Sequence, residues 1–157
     1  MVRTAAAPAA PKDRAKAFVY RHIVSFEETN LLGNVYFVRH LAWQGRCREM
    51  FLWQFAASVI DELSKDLRLV TIHASCDYYV ELTAFDEIEV QMCLAYQQQN
   101  RIGLAFEYYL CNERELTLVA RGAQEIGCMR QTAEGLRPTP VPPDLASALE
   151  EYAGRHQ

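Results

Sequence analysis

The sequence predicts an α+β fold in which a five-stranded antiparallel sheet wraps around one long central helix. Five segments alternate apolar and polar residues with the period of two that half-buried strands show. One proline-free segment instead carries apolar residues at helical spacing around most of its circumference, which is typical of a helix buried on most sides. The sheet is therefore expected to enclose this helix.

The first strand is predicted over residues 18–26, where Phe18, Val24 and the even-numbered residues between them fall on one face. The helix is predicted over residues 38–60, the segment without proline. Gly45 lies in its middle and lowers helix stability by about 1 kcal/mol relative to alanine. A glycine at this position indicates the close approach of a strand or of another chain.

Four further strands are expected to follow the helix, with lengths ordinary for globular proteins. They are predicted over residues 69–80, 87–97, 101–111 and 115–129. The polar connections at 97–100 and 112–115 suit hairpins. The last three strands are therefore expected to form an antiparallel meander.

A single domain of residues 17–136 is predicted, because a chain of 157 residues can bury one substantial core. Residues 1–16 are rich in alanine, proline and charged residues, which is typical of a disordered leader. Residues 137–157 are predicted to be a proline-rich segment and a C-terminal tail.

The proline-rich segment carries four prolines in residues 137–143. Such a density of proline is expected to exclude helix and sheet pairing and to favour an extended chain. The tail behind it is predicted to form a short helix capped at Asp144. Leu145 and Leu149 of this helix would then pack back on the domain.

Composition excludes several classes of function. The net charge of −4 and the absence of a basic stripe disfavour nucleic acid as a partner. No apolar run approaches the length of about 18 residues needed to span a membrane, and the N-terminus lacks the apolar core of a signal peptide. We therefore expect a cytoplasmic protein with no membrane partner.

The cysteines indicate reduced thiols rather than a disulfide framework, since their number is odd and none falls in a CxxC pair. They are Cys47, Cys76, Cys93, Cys111 and Cys128. No HxxxH, HExxH or paired CxxC motif predicts a metal site. No GxGxxG or GxxxxGK motif is present either, so neither a metal nor a nucleotide cofactor is expected.

Two stretches of sequence carry a family resemblance. The stretch EETNLLGNVYF followed by VRHLAWQGRCREMFL resembles the active-site loop and central helix of hotdog thioesterases of the 4-hydroxybenzoyl-CoA thioesterase type. Within that family, TN-x-x-GNVYF and WQGRCREMFL are most similar to thioesterases associated with enediyne polyketide synthases. The resemblance covers about residues 18–130, including CDYYVELTAFDEIEV at 76–90, and it implies the hotdog fold.

The resemblance also implies an activity. It implies hydrolysis of a long β-keto polyene thioester held on the acyl carrier protein of an iterative polyketide synthase, giving a product that readily loses CO₂. It implies a homodimer or homotetramer formed through sheet edges, with active sites between protomers and no cofactor. Two alternatives stay open, an ordinary acyl-CoA thioesterase and a non-catalytic acyl-binding module.

Asn30 occupies the position at which ordinary members of the family carry an aspartate base or nucleophile. A carboxamide does not titrate, so Asn30 is expected to orient a water or to donate to the thioester carbonyl. Its alternative role is an Asx turn that shapes the loop. An aspartate or glutamate is expected in an ordinary acyl-CoA thioesterase, so Asn30 counts against that alternative.

Backbone N–H groups at the start of the predicted helix are candidates for an oxyanion hole, because a helix N-terminus has unpaired N–H groups and a positive dipole end. The candidates are those near Asn34, Val35 and Tyr36. These groups could instead cap the loop. Gly33 suits both arrangements.

Arg48 is the second catalytic candidate implied by the resemblance. On a mostly apolar helix its guanidinium needs a partner. It could stabilise an enolate, a β-keto oxygen or the attacking water, or form a salt bridge at a subunit interface.

His40 occupies a position where many members carry tyrosine, and it is either a base or a hydrogen-bonded packing residue. Cys47 lies about 10 Å along the helix from His40, too far for a direct hydrogen bond, so it is expected in the core. Thr71 is expected to line the pocket.

Overall fold

The structure is a computed structural model that describes residues 16–154. The predicted disordered leader therefore lies outside the described residues except for Lys16, whose Nζ is 3.1 Å from a Glu151 carboxylate oxygen. The elements in chain order are β1 (Phe18–Ile23), a 3₁₀ turn (Phe26–Glu28), α1 (Val38–Phe55), α2 (Ala57–Leu63), β2 (Leu67–Tyr78), β3 (Glu87–Gln98), β4 (Arg101–Asn112), β5 (Glu115–Thr132), β6 (Gly135–Pro138) and α3 (Pro143–Glu150).

The strands form one antiparallel sheet in the order β1-β3-β4-β5-β2, with β6 paired to β5. β3, β4 and β5 are joined by two hairpins, which confirms the predicted meander. The core lies between this sheet and α1, as the predicted α+β architecture requires. No helix among residues 16–154 is long and apolar enough to cross a bilayer.

The inward face of α1 carries His40, Trp43, Gln44, Cys47 and Phe51, all buried. The prediction that the helix is buried on most sides is wrong for the single chain, since the sheet covers only this face. The opposite face exposes the large apolar side chains of Val38 and Trp53. Among residues 16–154, no atom lies within 4 Å of the place where a Cβ on Gly45 would be, so no described strand explains that glycine.

The predicted helix of residues 38–60 is divided into α1 and α2. Ala56 leaves the helical region of backbone conformation, with φ −144° and ψ 47°. It is buried, and the turn at this residue also buries Val59 on α2. One helix was expected because apolar spacing continues through this position, whereas burial of both side chains requires the chain to change direction.

The proline-rich segment departs from its prediction at its first residues. Arg137 and Pro138 belong to β6 and pair with Arg130 and Met129 of β5. Sheet pairing is tolerated because β6 is a short outer strand and proline occupies its last position. Gly135, with φ 107°, provides the tight turn that brings β6 back onto β5.

The tail forms α3, and both of its predicted anchors, Leu145 and Leu149, are buried. Asp144 lies in the first turn and is not its cap, because Pro142 occupies the N-cap position. The Asp144 carboxylate instead accepts a hydrogen bond of 2.6 Å from the Ser58 hydroxyl of α2. This bond joins the tail to the helical layer.

β2 is the last strand in the order and pairs on one side only. Its predicted alternation of buried and exposed residues is wrong, because most of the strand is exposed. Val70, Ile72 and Tyr78 are 38%, 45% and 41% exposed. An apolar strand with a free edge pairs readily with another chain.

Candidate active site

The turn at residues 30–34 is built on the Asn30 side chain. Asn30 Oδ1 accepts a hydrogen bond of 2.9 Å from the Leu32 N–H, and the Gly33 N–H donates to the Asn30 carbonyl at 2.9 Å. Gly33 has φ 87°, a conformation that glycine adopts at little cost. The Asn30 side chain therefore forms an Asx turn, the alternative role that the sequence offered. Its amide NH₂ is the part of the side chain that could donate to a ligand.

The N–H groups of Val35 and Tyr36, two of the oxyanion candidates, already have acceptors within the loop and strand region, which is the capping alternative. The Val35 N–H donates to the Leu82 carbonyl at 2.7 Å, and the Tyr36 N–H donates to the Glu28 carbonyl at 2.9 Å. α1 begins at Val38, where the sequence predicts it, so these two N–H groups precede the helix. The N–H groups of Phe37 and Val38 have no acceptor within residues 16–154, so they are the helix-terminal donors still available.

Three side-chain atoms near this helix start are buried and lack a hydrogen-bond partner in the described chain. They are Asn34 Oδ1, His40 Nδ1 and His40 Nε2. A buried polar group without a partner costs about 1–3 kcal/mol. Each of these atoms needs a partner that the described chain does not supply, and a water or a polar group of a ligand could provide it.

His40 is enclosed by aromatic rings and is only 4% exposed. Its ring centroid lies 4.8 Å from that of Tyr78 and 4.9 Å from that of Trp43. Burial lowers the pKa of His40 to about 4, and the Phe37 carbonyl offsets this only in part. The imidazole is therefore neutral at pH 7 and a weak base.

Glu28 anchors the turn and was missed by sequence reasoning. Its buried carboxylate accepts hydrogen bonds from Trp43 Nε1 at 2.7 Å, His22 Nε2 at 2.8 Å and the Ser25 N–H at 2.9 Å. Burial acts to raise the pKa of Glu28, but these hydrogen bonds and the charge of His22 together lower it below its usual value. The S-x-x-E spacing of Ser25 and Glu28 is a capping-box pattern that could have indicated this role.

Arg48 lies on α1 beside β2 and β5. Its Nη1 donates to Gln124 Oε1 at 3.2 Å and to the Thr71 hydroxyl at 3.4 Å, so Arg48 and Thr71 are in contact. No carboxylate lies within ion-pair distance of Arg48 in the described chain. Burial lowers the pKa of Arg48, and the nearby Glu49 charge acts in the opposite direction. The guanidinium therefore keeps an unneutralised positive charge.

The Asn30 turn and Arg48 are not brought together within one chain. Arg48 lies ten residues after Val38 on α1, a rise of about 15 Å, and no described residue bonds to both groups. Arg48 instead borders a narrow apolar cavity of about 10 Å³ that α3 helps to line. Its other lining residues are Phe51, Leu52, Leu69, Met92, Ile102, Leu104, Ile126, Leu145 and Leu149.

Cys47 is a core residue, as predicted. It is fully buried, and burial together with the nearby Cys93 raises the pKa of the Cys47 thiol to about 12. A thiol with that pKa is a poor nucleophile at neutral pH. Within residues 16–154, no group of histidine, cysteine or acidic side chains has the arrangement of a metal site.

The neutral burial of His40 predicts a pH-dependent stability. The pKa is about 4 in the folded protein against 6.5 for the ordinary group, so unfolding takes up a proton between these values. The free energy of unfolding is expected to fall by roughly 3 kcal/mol as pH drops from 6.5 to 4. The free energy of unfolding, measured with urea across this pH range, should fall less for His40→Phe than for the wild type. The control is His73→Gln, at an exposed histidine, which should behave like the wild type. An equal dependence of the free energy of unfolding on pH in all three proteins would contradict neutral burial of His40.

The chain is similar to known proteins both by its family and by its structure. Residues 24–149 match the model of the thioesterase-like superfamily. The dynemicin thioesterase, whose crystal structures show induced-fit and allosteric effects upon polyene binding, is 45% identical, with a TM-score of 0.87 over 90% of this chain and 100% of that chain. No curated protein matches the chain.

Two more distant structures share the fold. A 1,4-dihydroxy-2-naphthoyl-CoA thioesterase from Synechocystis is 23% identical, with a TM-score of 0.77 over 85% of this chain and 96% of that chain. A 4-hydroxybenzoyl-CoA thioesterase in complex with its substrate is 13% identical, with a TM-score of 0.73 over 86% of this chain and 99% of that chain.

Proposed function

Because this chain belongs to the thioesterase-like superfamily and is a thioester hydrolase with the hotdog fold, we propose that it releases a long conjugated β-keto polyene from the acyl carrier protein of an iterative polyketide synthase. The observation that carries this proposal is the 45% identity to the dynemicin thioesterase over all of that chain. The released β-keto acid can lose CO₂ to give a methyl ketone or a polyene. The biological role is enediyne biosynthesis.

The proposed mechanism is direct attack of water on the thioester carbonyl carbon. The carbonyl electron pair moves onto oxygen, and the N–H groups of Phe37 and Val38 with the Asn30 amide stabilise the resulting oxyanion. Arg48 adds a permanent positive charge beside the reacting thioester. The tetrahedral intermediate then collapses and expels the carrier thiolate, which takes up the proton lost by the water.

No carboxylate acts as general base in this mechanism. Glu28 is engaged by Trp43, His22 and Ser25, and Asn30 does not titrate. A missing general base forfeits about 10²–10⁴-fold in rate. Slow turnover on simple acyl-CoA esters is therefore expected, and the intrinsic reactivity of the thioester makes this loss tolerable.

The complete site is proposed to form between two protomers of a homodimer, which could assemble further into a homotetramer. The turn exposes Leu31 and Leu32 fully or nearly so, at 103% and 87%. The free edge of β2, near Arg48, also exposes apolar residues. A two-fold dimer that covers both surfaces brings the turn of one protomer toward Arg48 of the other, which neither chain achieves alone.

The proposed substrate is tested by offering one acyl group on two carriers. A β-keto polyene on its acyl carrier protein is expected to be hydrolysed with a kcat/KM at least roughly tenfold above that of the matching coenzyme A ester, because carrier contacts add binding energy in the transition state. Mass spectrometry of the carrier phosphopantetheine follows release. Equal or faster hydrolysis of the coenzyme A ester would indicate an ordinary acyl-CoA thioesterase, and a polyene bound but still esterified would indicate a binding module.

A further inference from the structure

We propose that Gln44 and Gln124 form a two-amide relay that holds the Arg48 guanidinium in place without neutralising it. Both glutamines are buried, at 0% and 7% exposure. This inference rests on the proposed role of Arg48 in hydrolysis, and it assigns these two glutamines as positioning residues.

The relay is a continuous series of hydrogen bonds from the helix to the sheet. Arg48 Nη1 donates to Gln124 Oε1 at 3.2 Å, and Gln124 Nε2 donates to Gln44 Oε1 at 3.1 Å. Gln44 Nε2 then donates to the Ser75 carbonyl of β2 at 2.9 Å. Arg48 can only donate and the carbonyl can only accept, so both amides have one consistent orientation. The guanidinium is thereby fixed to the backbone of the sheet.

The two amides of the relay carry no charge, and we expect this property to matter for catalysis. A carboxylate at position 124 would still accept from Arg48, but it would form an ion pair with the guanidinium and could not donate to Gln44. Charge stabilisation of an oxyanion depends on positive charge that is not already compensated. An amide relay therefore provides orientation while leaving the charge of Arg48 for the substrate.

Gly122 makes room for the relay on β5. A Cβ at this position would lie 2.1 Å from Gln44 Nε2 and 2.8 Å from the Ser75 carbonyl oxygen, much closer than contacting atoms approach. Glycine weakens a strand interior and is expected there only where another group approaches closely. The approaching group is the Gln44 amide, so the backbone of β5 is shaped to accept this glutamine.

The test uses Gln124→Glu, which keeps the size of the side chain and introduces a charge beside Arg48. Its kcat for an acyl-CoA ester is expected to fall at least roughly tenfold with KM little changed, because Arg48 acts on the transition state. The double variant with Arg48→Ala should lose no more than Arg48→Ala alone, since the two changes act on the same interaction. Gln131→Glu, at an exposed position on the same strand, is the matched control and should resemble the wild type.

The use of a simple acyl-CoA ester separates this inference from the proposed substrate, because the relay can be tested even if the polyene carrier is not hydrolysed. A second readout needs no activity. The Arg48 side-chain N–H signals of ¹⁵N-arginine-labelled protein, assigned with Arg48→Lys, should exchange with water faster in Gln124→Leu than in the wild type. Wild-type kcat in Gln124→Glu, additive losses with Arg48→Ala, or unchanged Arg48 exchange would each overturn the relay.

Discussion

Arg48→Ala is expected to hydrolyse acyl thioesters about 10²–10³-fold more slowly than the wild type, with kcat carrying most of the loss. The guanidinium is half-buried and has no carboxylate partner in the described chain, so its charge is available to the reacting thioester. Removing it leaves only the Gln124 and Thr71 oxygen atoms without a donor. Stability should therefore change by only about 1 kcal/mol.

Two further variants separate charge from geometry at this position. Arg48→Lys keeps the charge but loses the planar fork of donors, and it should retain an intermediate rate. Arg46→Ala removes a half-exposed arginine that pairs with Glu49 at 3.7 Å, and it should leave the rate unchanged. Wild-type kcat in Arg48→Ala would remove this residue from the mechanism.

Glu28→Ala is expected to lower the free energy of unfolding by about 3 kcal/mol, because it leaves buried donors of Trp43 and the Ser25 backbone without an acceptor. Hydrolysis should slow as well, since the Glu28 segment also holds the Tyr36 N–H at the end of the turn. Urea unfolding of Glu28→Ala and of Glu27→Ala, the exposed neighbour, measures the effect. Equal stability of the two variants would show that Glu28 does not anchor the turn.

The stabilisation that Glu28 provides depends on pH. The pKa of Glu28 is lowered from its ordinary value of 4.5, so the ionised carboxylate stabilises the folded state above that pH. This contribution is lost as pH falls through the lower pKa of the folded protein. The stability difference between the wild type and Glu28→Gln should therefore shrink below pH 4.5, a window distinct from that of His40.

The sheet and the central helix could be predicted because their signals are local. The alternation of apolar and polar residues along β3 and β4 predicts the antiparallel meander. Leu145 and Leu149 are four residues apart, a spacing that places both on one side of a short helix. The end of α1 at Ala56 and the pairing of Pro138 could not be predicted, because both depend on neighbours brought together by the fold. The spacing of apolar residues in the sequence does not show where the chain changes direction.

The candidate site was predictable in part. The motif around Asn30 predicted the turn, whereas the catalytic role of Arg48, which the family resemblance implies, stays a prediction. The acceptors of the Val35 and Tyr36 N–H groups were not predictable, since one of them, Leu82, lies far along the chain. The partner of Arg48 is equally remote, because Gln124 is separated from it by 76 positions. Such contacts follow from sheet register, which a single sequence does not specify.

The central claim is that Asn30 of one protomer and Arg48 of the other serve the same site, and subunit complementation tests it most directly. Asn30→Ala and Arg48→Ala proteins, each nearly inactive, are unfolded together, refolded as a mixture and assayed for hydrolysis. Random pairing places half of the protomers in mixed dimers, each with one intact site, so about a quarter of the wild-type rate should return. A mixture no more active than its two components would show that the two residues do not meet across the interface.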